Sequence, residues 1–150
     1  MDERAQAELE RELIIYSDGA SRGNPGPAGI GAVILDENES VVAQISAGVG
    51  VATNNEAEYL AIAKALETAQ ELGARRVRVY VDSELVARQL SGQYAVKSER
   101  LRPLVAEVQR LRRLFDSCPV RHVRREMNAK ADQLANMGID GDLGLRDPSD

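Results

Sequence analysis

From Leu13 to Tyr16 the chain is apolar without a break and then stops on Ser17-Asp18-Gly19. Two further apolar blocks, Gly29 to Leu35 and Val41 to Gly48, flank the polar run Asp36-Glu37-Asn38-Glu39. Short apolar blocks bounded by turn-forming residues predict strands, and three in succession predict an antiparallel meander. The pattern then changes period. Tyr59, Ile62, Ala63, Leu66 and Ala69 fall on one face of an Ala/Leu/Glu-rich stretch from Asn55 to Leu72, which predicts a helix closed by Gly73. Val77 to Val81 alternates before an apolar end and halts at Asp82. Reached through a helix, that strand should lie parallel to an earlier one. Ser83 to Leu90 predicts a short helix ended by Gly92, and Leu101, Leu104, Val105, Val108, Leu111 and Leu114 a longer amphipathic one with Ser98 as its N-cap. Val120 to Val123 predicts a last strand, and Asn128 to Met137 a last helix before Gly138. The order β-β-β-α-β-α-α-β-α gives an α/β fold: a mixed five-stranded sheet flanked by helices.

A length of 150 residues suits one domain, expected over 13–139. Residues 1–12 read as a charged N-terminal extension, and 140–150 as an acidic, turn-rich flexible tail. No apolar run approaches the roughly 18 residues of a membrane span, so no membrane partner is expected. The single cysteine, Cys118, cannot form an internal disulfide or complete a thiolate zinc site, and a reducing cytoplasm suits it. One Phe, four Tyr and no Trp argue against a reader of single strands built on stacked aromatics.

The net charge of −5 speaks at first against a nucleic-acid partner. Its distribution changes that picture, because residues 97–130 carry ten basic and four acidic side chains against nine and twenty in the remainder. A basic segment on an acidic body suits either a phosphate-binding face or a solvated helix.

Four acids occupy places where carboxylates are structurally unexpected. Asp18 ends the first predicted strand, Glu58 lies in the first turns of the first helix, Asp82 ends the fourth strand, and Asp132 lies early in the last helix. Strand carboxyl ends and helix N-termini meet at one edge of an α/β sheet, so the four can converge. Each taken alone reads first as structure: Asp18-Gly19 as a turn, Asp82-Ser83 as a cap, Asp132 as a carboxylate favoured by the helix dipole. Glu58 differs, since Thr53 and Glu56 already have capping-box spacing and leave it free.

The segments DGASRGNPGPAG (Asp18 to Gly29), TNNEAEY (Thr53 to Tyr59), YVDSELV (Tyr80 to Val86) and REMNAKADQLAN (Arg125 to Asn136), in this order, resemble type I ribonuclease H. The likeness runs from Leu13 to Ile139. It is to the compact bacterial and archaeal form, because Ser83 to Phe115 lacks an inserted basic, Trp-rich protrusion. The resemblance implies a ribonuclease H-like fold and an endoribonuclease that hydrolyses the RNA strand of RNA/DNA hybrids, leaving 5′-phosphate and 3′-hydroxyl ends. It places the metal-binding, catalytic carboxylates on Asp18, Glu58, Asp82 and Asp132. Two Mg²⁺ ions are implied, with Mn²⁺ as a substitute, consistent with an all-oxygen ligand set. Asn24, Asn54 and Asn55 would contact the minor groove of the hybrid and Thr53 a phosphate of its DNA strand, with the protein a monomer.

The sequence departs from the family pattern twice. Glu84 stands where a glutamine often contacts the hybrid, and the loop after the last strand lacks the usual histidine. Arg125 or Glu126 is the candidate to take the histidine's place, while His122, inside the predicted strand, reads as structural. Two other classes stay in view. One is a second nuclease type on the same fold, such as a junction resolvase, and the other a noncatalytic hybrid-binding module. The glycine-rich stretch Gly19 to Gly29 lacks the Gly-Lys-Ser/Thr ending of a phosphotransferase P-loop.

Overall fold

The computed structural model describes residues 11–144. Most of the expected N-terminal extension and the end of the expected tail lie outside the described residues. The elements are β1 (Glu12–Ser21), β2 (Gly26–Leu35), β3 (Val41–Ala52), α1 (Asn54–Glu71), β4 (Arg76–Val81), α2 (Glu84–Leu90), α3 (Arg102–Arg112), β5 (Val120–His122), a 3-10 turn (Arg125–Asn128) and α4 (Ala129–Asp142). The strands form one sheet in the order β3-β2-β1-β4-β5. The first three pair antiparallel, while β4 lies parallel to both β1 and β5. This is the mixed five-stranded α/β sheet that the patterning predicts.

Period-two alternation sends neighbouring residues of a strand to opposite faces of the sheet. Leu13, Ile15, Ala32 and Ile34 face α1, α2 and α3, where they meet Tyr59, Ile62, Leu66, Val86, Val108 and Leu111 in the main core. The other face of β2 and β3 is covered by α4.

Several boundaries differ from the expectations. Asp18 lies inside β1 rather than at its end, because Ser17, Asp18 and Gly19 continue the antiparallel ladder opposite Ala32, Gly31 and Ile30. Helix α3 begins one residue after Leu101, not at Ser98, since Pro103 belongs in the first helical turn. Ser98 instead closes a preceding turn, its Oγ accepting from Leu101 N at 3.4 Å. The last helix does not end at Gly138 but continues to Asp142, three residues into the expected tail. Gly138 has another use there: a Cβ would lie 2.4 Å from the Ala47 carbonyl oxygen, so its bareness lets α4 touch β3 instead of ending the helix. Asp140 in the added turn accepts a 2.7 Å ion pair from Arg22.

Candidate active site

The β1/β4 pairing and the starts of α1 and α4 set the four acids. Asp18 pairs with Gly31 across the ladder, and Asp82 directly follows β4, the parallel neighbour of β1. The start of α1 is fixed by a capping box in which Thr53 Oγ1 accepts from Glu56 N at 3.1 Å and Glu56 Oε1 accepts from Thr53 N at 2.9 Å. That places Glu58 one turn into the helix. Gly19 allows α1 to approach β1, since a Cβ there would lie 2.2 Å from the Ala57 carbonyl carbon. Asp132 sits in the first turn of α4.

Carboxylate oxygens of Asp18, Glu58 and Asp82 all lie within 4.8 Å of one another. Asp132 joins them on the wall of a cavity of about 480 Å³, with Ser21, Asn54, Arg125 and Asn136. Asp18 and Glu58 are only 4% and 7% exposed, while Asp82 and Asp132 are half-buried. Burial, reinforced by Asp132 and Asp82, pushes the Asp18 carboxyl up to about 7, although its contact with Glu58 acts the other way. Burial and then the Asp18 charge drive Glu58 well above the carboxylate range, against a favourable Gly19 N–H. Burial also raises Asp82, but the Arg125 guanidinium and the Asn128 amide hold it down in part.

Glu58 Oε2 is buried and receives no hydrogen bond, a costly state for a carboxylate oxygen unless a cation satisfies it. All four acids offer oxygen, and neither histidine nor cysteine lines the cavity. The donor set therefore fits a hard divalent cation such as Mg²⁺ or Mn²⁺.

The other expected site residues divide into two groups. Asn54 and Arg125 line the cavity, whereas Asn24, Thr53, Asn55 and Glu126 lie outside its wall. Asn24 Oδ1 accepts from Asn54 N at 2.9 Å, and Asn54 Oδ1 accepts from Ser21 N at 2.9 Å. Both exposed amides thus spend their acceptor on backbone and keep their NH₂ donors for something outside. Beside them, Arg100 pairs with Glu56 at 3.2 Å next to Thr53. Glu84 is neutralised locally by Arg88 at 2.7 Å, whose guanidinium also lies over the Tyr94 ring.

Sequence reading missed Asn136 and Asn128. Asn136 lines the cavity, donates from Nδ2 to the Asp132 carbonyl at 3.1 Å and receives Arg22 at Oδ1 at 3.3 Å. Its spacing of four from Asp132 on a predicted helix was the available signal.

Residues 16–138 match the family model described as reverse transcriptase-like. Ribonuclease HI of Halobacterium salinarum is 42% identical over 125 residues, which cover 83% of this chain and 63% of that protein. The solved N-terminal RNase H domain of rv2228c from Mycobacterium tuberculosis is 42% identical with a TM-score of 0.83, over 86% of this chain and 99% of that one. LC11-RNase H1, solved in complex with an RNA/DNA hybrid, is 43% identical with a TM-score of 0.83, over 87% and 99%. The chain thus spans 63% of the length of the Halobacterium protein and 36% of the whole bifunctional protein Rv2228c.

Proposed function

The chain belongs to the ribonuclease H family, and from that premise we propose that it is a metal-dependent endonuclease that hydrolyses the RNA strand of RNA/DNA hybrids. The observation that carries this reading is the buried acid cluster, with its unsatisfied Glu58 oxygen, at the rim of a polar cavity. The solved complex of LC11-RNase H1 with a hybrid supports the choice of substrate.

Asp18, Glu58, Asp82 and Asp132 are the proposed ligands of two Mg²⁺ ions, with Mn²⁺ as a substitute. Bound there, such ions would activate a water and stabilise the departing 3′ oxygen of an in-line displacement, leaving 5′-phosphate and 3′-hydroxyl ends. The remaining roles belong to the protein. Asn24 and Asn54 present amide donors beside the cavity, suited to the acceptors and 2′-hydroxyls of a minor groove. The amide of Asn55 has no intramolecular partner among the described residues and is assigned to the same groove. Thr53 Oγ1 uses a lone pair in the capping box, so its O–H remains for a phosphate of the DNA strand. Arg125 lines the cavity near Asp82 and Glu126 does not, which favours Arg125 as the loop residue that offsets charge on the leaving product.

All four acids come from one chain, so a monomer suffices. No described helix is long and apolar enough to cross a membrane. The lone thiol of Cys118 suits the cytoplasm. A labelled hybrid incubated with Mg²⁺, Mn²⁺ or chelator tests the reading: internal cuts in RNA alone, dependent on the cation, are expected. Cutting of four-way junctions but not hybrids would favour a resolvase, and binding without cutting a noncatalytic module.

A further inference from the structure

Asn128 is 1% exposed and stands at the N-cap position of α4, where an asparagine ordinarily caps the helix with its own side chain. It makes no such bond. Its Nδ2 instead donates to the carbonyl of Ser17 at 2.8 Å, across 111 positions of sequence. Ser17 immediately precedes Asp18. The same amide lies beside the Asp82 carboxylate. Both groups it faces are acceptors, so the carboxamide must turn its NH₂ edge toward them, and its Oδ1 is left buried without a partner. A residue selected only for packing would leave no polar atom stranded in this way.

We propose that Asn128 is a positioning residue of the acid cluster, its carboxamide holding β1 at Ser17 and the end of β4 against the start of α4. Three of the four acids depend on that junction: Asp18 follows the clasped carbonyl, Asp82 faces the amide, and Asp132 lies one turn further along α4. A neutral donor is required. Aspartate has nearly the same shape, but it cannot donate to the Ser17 carbonyl and adds negative charge beside Asp82. The inference rests on the reading of these acids as a metal-dependent cleavage site.

The test compares wild type with Asn128→Ala and Asn128→Asp. Mn²⁺ binding is followed by calorimetry, melting temperature is taken with and without Mn²⁺, and kcat and KM are measured on a labelled hybrid. Asn128→Ala should weaken Mn²⁺ binding and lower kcat by about 10–100-fold each, the usual cost of losing an outer-shell partner, with KM for the hybrid within about twofold. Asn128→Asp should melt lower than wild type without metal and recover more of the difference when Mn²⁺ is added. Unchanged Mn²⁺ affinity and kcat per folded molecule in Asn128→Ala would overturn the proposal. An equal loss of melting temperature with and without Mn²⁺ in Asn128→Asp would also do so. If wild type binds Mn²⁺ but cuts no hybrid, the functional reading fails and the Mn²⁺ titration alone decides the role of Asn128.

Discussion

Asp18 and Glu58 are buried close together with too few donors, so without a cation burial favours their protonated forms in the fold. The folded-state value of Asp18 lies above its ordinary 3.8, at about 7. A raised acid contributes stability that is fully present below its unfolded value and lost as pH rises through its folded one. The metal-free protein should therefore melt at progressively higher temperature as pH falls from 8 toward 5, and saturating Mg²⁺ should flatten that dependence. Calorimetric scans in chelator and in Mg²⁺ check it. Asp82→Asn removes one charge at nearly constant volume. It should lower cleavage by at least about 10²–10³-fold while raising the metal-free melting temperature by about 2–4 °C. Wild-type turnover of this variant at saturating Mg²⁺ would remove Asp82 from the site. That the four acids share one cavity wall was legible because Glu58, Asp82 and Asp132 lie near helix starts or a strand end, where topology brings distant residues together, although Asp18 proves to lie inside β1. Asn128 was not legible. An asparagine before a helix reads as a cap, and its bond to Ser17 is set by tertiary packing alone.

At the scale of elements, the site depends on how closely α1 and α4 approach the sheet. Gly19→Ala would drive a Cβ into the Ala57 backbone, so α1 must shift and carry Glu58 with it. Such a variant should lose both stability and cation affinity, whereas Thr53→Ala, which breaks only the capping box, should cost about 1 kcal/mol and leave the cluster in place. Urea melts paired with Mn²⁺ titrations separate the two. Element types, the antiparallel start and a parallel fourth strand followed from the hydrophobic patterning, whereas the strand order came only with the tertiary structure. The boundaries failed where one residue type serves two purposes. Ser17-Asp18-Gly19 resembles a turn yet continues β1, because the small residues opposite, Gly31 and Ala32, leave room in the ladder. Gly138 resembles a helix stop but is a point of contact between α4 and β3.

For the molecule as a whole, the excess of arginine in 97–130 is divided between structure and surface. Arg112 is tied to the carbonyls of Leu90 and Cys118 at 2.8 and 3.0 Å, so Arg112→Ala should destabilise the protein without a specific effect on binding. Arg110 is held by Glu107 at 2.6 Å. Arg100 is two-thirds exposed beside Thr53, and its replacement by Ala should reduce the salt dependence of hybrid binding by about one unit of slope, with Arg110→Ala as an unchanged control. Equal slopes for both would make Arg100 a solvated bystander. Whether the acid cluster cuts RNA within a hybrid is decided by a single gel. A hybrid with its RNA strand labelled is incubated with wild type in Mg²⁺, wild type in chelator, and Asp82→Asn in Mg²⁺. Internal RNA cuts are expected in the first lane alone, ending in 3′-hydroxyl, with the DNA strand intact. Cutting in chelator, equal cutting by Asp82→Asn, or an uncut hybrid in the first lane would rule out a metal-dependent hybrid nuclease at this cluster.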